Sequence, residues 1–493
     1  MKTSIKRLGA AALTLAMVGT NLSSFTFAEE AETYDFGGAT VRVYGNQWGN
    51  INPDAENAAD KAVYFDYAAQ VEAKYNIKLE YVDANAYGHD GYNMAEVIQT
   101  TASAGETFAD IIDVGPEGIM KLIAGGYVCD ITDHVDELEV GSLYTEAVTW
   151  AGKCYGLTFD NIGDTYVLAY SRDFFEECGI EETPTDKFMA GEWSYDDVRE
   201  YFTEIKANLG DVYPIGVHYY HWQSMSGAAN GAPAITSDGT INITNENYIE
   251  SLEFYADLIA DGLAAPMVVE VTDDPESATG LKDVDIPYGT SGMNVTYAMT
   301  RYESWEFGGL QDALGQWGIT YWPWGDNVTC EGDYTTLSDT YQTAQAYWGN
   351  CMVVSDAPER TGIEAIDLLK IAQDYYALCS PSGHEARHAA WEAEQAGEEP
   401  QIGYERGTAR KFCTPQDIEL YDWGHDRVVY DWAKPFSDAD IISTWNLAKE
   451  IIAGGRDGRE VAQKYYESGL KLAQEQGFIA VDEDAVEETS AAE

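Results

Sequence analysis

The stretch that decides the fold is YGLTFDNIGDTYVLAYSRDFFEECGIEETPTDKFMAGEWSYDD, residues 155–197. Its apolar run Thr165–Tyr170 reads as a strand that leaves the polar corner Asp160-Asn161-Ile162-Gly163-Asp164. A short helix is predicted at Arg172–Cys178, then a loop carrying Pro184. A new helix opens at Ser194, where Ser194 and Asp197 have capping-box spacing. A strand that exchanges a polar corner for a new layer of structure is what a crossing between two lobes looks like.

The same grammar runs outward on both sides. Before the stretch, Thr40–Tyr44 reads as a strand and Tyr64, Tyr67, Ala68, Val71 and Tyr75 as one helical stripe. Ile77, Leu79 and Tyr81 alternate as a second strand, and Met94, Val97, Ile98 and Thr101 repeat the helical period. Residues 110–114 form a short buried strand, and Ile119–Ala124 is a helix stopped by Gly125-Gly126. After the stretch come a strand at Tyr213–Val217, a helix striped by Tyr248, Leu252, Tyr255 and Ile259, and a surface loop over 272–288. A strand at Gly318–Trp322 runs into Pro323, and Ile363–Leu378 is a long helix. Strands alternating with helices predict an α/β fold with mostly parallel sheets. A return crossing is expected near Trp322–Asp326.

With 493 residues the chain exceeds what one core supports. Basic residues number 28 and acidic residues 85, and the resulting −57 repels phosphate backbones and anionic lipid, which excludes nucleic-acid binding. Lys2, Lys6 and Arg7 precede an apolar run from Leu8 to Gly19, and Thr26-Phe27-Ala28 offers a cleavage site, so residues 1–28 read as a secretory signal peptide. No Cys precedes Cys129, so a lipid-anchor cysteine is not expected. The seven Cys are widely spaced without a CxxC and suggest neither a disulfide framework nor a zinc knuckle. Residues 481–493 are acidic and lack aromatics, which predicts a disordered tail.

Several segments, taken in order, resemble the bacterial extracellular solute-binding proteins of the carbohydrate-uptake type, the class that includes maltose-binding protein. They are the small-Asp-Ile-Ile strand at Ala109–Asp113 with the glycine-stopped helix Ile119–Gly126, followed by Asp130-Ile131-Thr132-Asp133. Next come Tyr155-Gly156-Leu157-Thr158, then Ala169–Phe175, then Gly179-Ile180, then Trp193-Ser194-Tyr195-Asp196-Asp197, and finally Ser291-Gly292-Met293. Thr158 stands where the family usually has proline. The resemblance implies a two-lobed periplasmic-binding-protein-like fold with a hinge and an interlobe ligand cleft. It places lobe 1 at residues 34–160 plus approximately 325–365, and lobe 2 at 161–324 plus parts of 366–480. It implies a monomeric, secreted or cell-surface protein without catalysis or cofactor, handing a sugar, an oligosaccharide above all, to a membrane ABC permease.

A neutral sugar presents hydroxyls to polar side chains and C–H faces to aromatic rings, so its site needs both in a cleft. The candidate contacts sit in predicted loops at strand ends: Trp48, Asp113, Glu117, Asp160, Asn161, Trp222, Gln223, Tyr297, Trp305, Trp324, Tyr341 and Trp348. The competing reading of each ring is core packing, and of Asp113 and Glu117 a helix N-terminal charge. Arg301 could face an acidic sugar or form a surface ion pair. His218 and His221 read as hydrogen-bonding residues.

Two other functions compete. His384-Glu385-Ala386-Arg387-His388 is a literal HExxH, the pattern of a zinc metallopeptidase with Glu385 as general base. Against it, Arg387 puts a positive charge where a dication would sit, the run after it is polar, and Glu405 lacks a third-ligand spacing. Alternatively, the same fold would bind a non-sugar solute such as a peptide or polyamine.

Overall fold

The computed structural model describes residues 34–45, 48–53, 61–83, 94–116, 118–159, 165–302, 317–345, 349–398 and 414–475. The signal-peptide, acidic-tail, Glu117, Asp160, Asn161, Trp305, Trp348 and Glu405 expectations lie outside the described residues.

Two separate sheets carry the fold. The first orders its strands β2-β1-β3-β9-β4, from β1 (Ala39–Tyr44), β2 (Ile77–Tyr81), β3 (Ile111–Val114), β4 (Gly156–Thr158) and β9 (Asn350–Val353). The second orders them β8-β5-β7-β6, from β5 (Val167–Ser171), β6 (Tyr213–Ile215), β7 (Tyr297–Tyr302) and β8 (Trp317–Thr320). In the first sheet β1 pairs parallel with β2 and β3, while β9 runs antiparallel to β3 and β4. In the second, β6 and β7 are parallel, and β5 is antiparallel to β7 and β8. The expectation of mostly parallel sheets is therefore corrected. The reason lies in the crossings. A strand arriving from the other sheet enters at the carboxyl edge of its new sheet, so it must run against the strands already there. Those are β5 and β9.

The chain leaves β4 at Thr158 and enters the second sheet at β5, then leaves β8 at Thr320 and re-enters the first sheet at β9. The two crossings touch through an isolated bridge between Thr165 and Gln345. Both sheets thus turn the carboxyl ends of their parallel strands toward the crossings, the place where open α/β sheets bind ligands.

The helices form where the stripes predict them. Helix α1 (Ala62–Tyr75), α2 (Met94–Ser103) and α3 (Ile119–Ala124) belong with the first sheet, and α1 packs on α7 (Ala365–Cys379), which also covers β3 and β9. On the second sheet α4 (Tyr195–Leu209) starts in a capping box of Ser194 and Asp197 and buries Val198, Tyr201, Phe202 and Ile205. Helix α5 (Tyr219–Ala229) packs along α6 (Glu246–Ala260). Two loops expected from the sequence contain structure. Pro184–Met189 is a short helix whose capping box uses Thr183 and Asp186, with proline in its first turn. Within 272–288, Leu281–Asp285 is a strand pairing antiparallel with Val268–Val271.

The groups around the two sheets also meet away from the crossings. The Trp150 ring lies 5.0 Å from those of both Trp432 and Phe436, and Ala151 N–H donates to Ser237 O at 2.9 Å. Buried Asp431 secures the far side of this contact by accepting from the N–H groups of Ala234, Ile235 and Ala433.

Candidate ligand cleft

At the carboxyl edge of the first sheet, β1 ends against β3. Gly45 has φ +130°, and a Cβ there would lie 2.2 Å from Asp113 O. Asp113 is buried in register with Cys351. Trp48 follows in a short 3-10 turn, and its ring stacks on Tyr375 at 4.4 Å with Tyr376 at 5.6 Å. It is fully buried and is core here, not an open stacking surface. Phe159, at the start of the first crossing, stacks on Tyr376 at 4.2 Å and accepts a hydrogen bond from Arg387 Nη1 at 3.1 Å.

That bond answers the HExxH reading. The motif lies on helix α8 (Pro381–Ala396), and the residue it buries is Arg387, only 1% exposed, with its guanidinium 6.0 Å from the Tyr144 ring centre. Glu385 is exposed, and His388 stacks on Trp391. Burial and the adjacent Arg387 hold the His384 imidazole below the usual histidine range. A guanidinium occupies the inward face that the motif would give to a dication. Among the described residues no group of three or more His, Cys, Asp or Glu is placed to hold a metal ion.

Several rings singled out in the sequence are packing residues of the second sheet and the crossings. Trp222 is fully buried, stacks on Tyr255 at 4.1 Å and donates to Ser251 O at 2.8 Å. Gln223 Nε2 donates to Tyr220 O and Ser224 Oγ, and its Oε1 accepts from Tyr248. Tyr297 lies beneath Gly216 and Gly292 and donates to Gly289 O at 2.6 Å. Trp324 packs edge-on against Phe188 and Tyr341, and Tyr341 donates to Trp322 O at 2.9 Å. Beside Thr165, Tyr166, Met225, Trp322 and Tyr341 the crossings leave a gap of about 10 Å³. That is room for about one water and far below a small-molecule pocket, so it is packing space at the hinge.

The second sheet does build an aromatic wall at its carboxyl edge, largely from residues the sequence reading passed over. Tyr166 immediately precedes β5, Arg301 lies near the end of β7, and the α5 N-terminus supplies His218, Tyr220 and His221. The His221 ring lies 5.3 Å from Tyr166, 4.6 Å from Tyr220 and 5.8 Å from Tyr288. Trp445 closes the row, edge-on to Tyr220 at 4.8 Å. Tyr288 is 61% exposed and carries the wall to solvent. Two cations already sit on its rings: Arg301 is 5.3 Å from the Tyr166 ring centre, and Lys434 is 5.3 Å from that of Trp445. Burial, then Arg301 and His218, hold the His221 imidazole well below its usual range, so it is neutral. Burial likewise brings His218 down to about 4, with Lys449 and Arg301 adding to the shift and Asp283 opposing it. The HYYH spacing and the position of Tyr166 beside the crossing were the available signals. Nothing local marks Tyr288 or Trp445, which reach the wall from distant segments.

Comparison with solved structures establishes the fold. The cyclic alpha-maltosyl-1,6-maltose binding protein from Arthrobacter globiformis matches with TM-score 0.55 at 15% identity, over 88% of this chain and 98% of its own. The sugar-binding protein MalE from Xanthomonas citri matches with TM-score 0.54 at 15% identity, over 88% and 98%. UgpB from Mycobacterium tuberculosis, solved with glycerophosphocholine, matches with TM-score 0.50 at 13% identity, over 89% and 100%. The architecture is thus the α/β periplasmic-binding-protein fold. A comparison with curated protein sequences gives no match. The model of the bacterial extracellular solute-binding protein family matches residues 27–307, more than half of the sequence, and the chain belongs to that family.

Proposed function

We propose that this protein captures a neutral sugar, an oligosaccharide above all, and passes it to a membrane ABC importer. As a member of its family the chain is a solute binder and not an enzyme. The observation that carries the sugar reading is the wall of Tyr166, Tyr220, His221, Tyr288 and Trp445 at the carboxyl edge of the second sheet. Aromatic faces beside polar donors suit the C–H faces and hydroxyls of a sugar. A polyamine needs aromatic faces for its own charges, and Arg301 and Lys434 already occupy two of them. The structural neighbours point the same way, since two of those described are named for sugar binding.

In this reading lobe 1 gathers the first sheet with α7 and α8, and lobe 2 gathers the second sheet with α5, α6 and the C-terminal helices. The crossings between β4 and β5 and between β8 and β9 form the hinge. Asp113, Glu117, Asp160, Asn161, Trp305 and Trp348 remain proposed contacts, because each lies at or just beyond a carboxyl strand end or within a crossing in sequence. Trp48, Trp222, Gln223, Tyr297, Trp324 and Tyr341 support the cleft from within. Secretion through residues 1–28, with cleavage after Ala28, and a monomeric state belong to the same proposal.

The test is a thermal-shift screen with maltotetraose, cellotetraose, xylotetraose and galactotriose beside spermidine, a tetrapeptide mixture and zinc chloride. A neutral sugar should raise the melting temperature and reduce the radius of gyration in X-ray scattering. Stabilisation by spermidine, peptide or zinc alone would replace this reading.

A further inference from the structure

We infer that His221 is the ligand-orienting residue of the wall, its neutral imidazole donating to one solute oxygen and accepting from a solute hydroxyl. This rests on the reading of the wall as the ligand-facing surface. His221 is only 3% exposed, yet neither Nδ1 nor Nε2 has a hydrogen-bond partner among the described residues. Leaving a buried polar atom unpaired carries its full desolvation penalty, and native proteins seldom tolerate it without a use. Its neighbours show the contrast. His218 Nδ1 accepts the Tyr220 N–H at 3.1 Å, and Gln223 has both its amide groups engaged.

The chemistry of the bare ring selects the solute. A neutral imidazole offers one N–H donor and one bare acceptor nitrogen. A sugar, with several hydroxyls that each donate and accept, satisfies both. An ammonium group would leave the N–H unpaired, and a carboxylate would leave the bare nitrogen unpaired. Arg301, 5.3 Å above the Tyr166 ring that itself borders His221, adds a penalty against a cationic solute. The exposed Tyr288 ring packs 5.8 Å from His221 on the solvent side of the wall.

The experiment compares wild type with His221→Phe, which keeps an aromatic ring and removes both nitrogens. Melting temperatures are recorded without sugar, and affinities are measured by calorimetry against the four neutral sugars named above. The inference expects the melting temperature of H221F to stay level or rise, because two unpaired polar atoms are removed. It expects affinity for the responding sugar to fall about ten-fold or more. A histidine with a purely structural role gives the reverse pattern, lower stability at equal affinity, and that result overturns the inference alone. In parallel, wild-type protein with ¹⁵N-labelled histidine is titrated with the same sugar. A titration in which no imidazole nitrogen shifts overturns the inference whether or not H221F folds. Wild type that responds to none of the four sugars overturns the sugar reading, and this inference with it.

Discussion

Gly45 shows how one residue decides whether two strand ends can meet at the cleft. Its φ of +130° is a conformation that side-chain-bearing residues rarely adopt, and its Cβ position is taken by Asp113 O and Asp113 Cβ at 2.2 and 2.3 Å. Neither obstacle can rotate away, because the blocking atoms are backbone and the root of a side chain. Gly45→Ala should therefore destabilise the protein by about 3 kcal/mol or more, read as a lower urea midpoint. A midpoint equal to wild type would show that β1 and β3 do not approach this closely. The same scale explains why the site was only partly legible. Trp48 and Trp222 sit at strand ends, where a sugar-stacking ring would sit. Their faces are covered by Tyr375 and Tyr255, residues remote in sequence that no local pattern connects to them. His221 was visible as a letter, but its two unpaired nitrogens are a property of the folded surroundings.

At the scale of elements, the N-terminus of α5 joins capping to charge. His218 caps the helix through Nδ1, and that acceptor exists only while the ring is unprotonated there. Burial holds its pKa near 4, helped by Lys449 and Arg301 and opposed by Asp283, against about 6.5 in an unfolded chain. Between those values the unfolded chain binds a proton that the folded protein refuses, so stability is intact above about pH 6.5 and is lost as pH falls toward 4. His218→Asn keeps a capping side chain that does not titrate. Wild type should thus lose about 2 kcal/mol more than H218N between pH 7 and 4.5 in urea unfolding, and parallel pH profiles would refute the capping link. Elements of this kind were readable in advance. Ser194 with Asp197 gives a capping box in the letters alone, and so does Thr183-Pro184-Thr185-Asp186, although its proline reads first as a loop. Strand direction was not readable. Whether β5 or β9 runs with or against its neighbours depends on the edge at which the chain enters the sheet.

At the scale of the molecule, the first crossing, after β4, was legible because the order of elements is itself a sequence property. The return expected near Trp322–Asp326 was not: there Trp324 O accepts from Tyr195 N–H and Gly325 N–H donates to Asn230, both beside the second sheet, and the chain re-enters the first sheet only at Asn350. The contact of Trp150 with Trp432 and Phe436 was not legible either, since its partners are brought together only by the assembled fold. Net charge is the remaining whole-molecule quantity. If every Lys and Arg were paired once with an acid, 57 carboxylates would still face one another without a cation. Ion pairs between elements exist, such as Lys370 with Glu137 and Lys449 with Asp283, but exposed pairs contribute only about 0–1 kcal/mol each. Salt weakens those pairs and also screens the carboxylate surplus, whose repulsion opposes the compact state. With 28 cations against 85 acids the second effect is the larger. Raising sodium chloride from 20 mM to 500 mM at pH 7.5 should therefore raise the melting temperature by a few degrees, most steeply below about 150 mM, where the Debye length shortens most. A melting temperature that falls with salt would mean that the ion pairs, not the surplus, dominate the electrostatics of this fold.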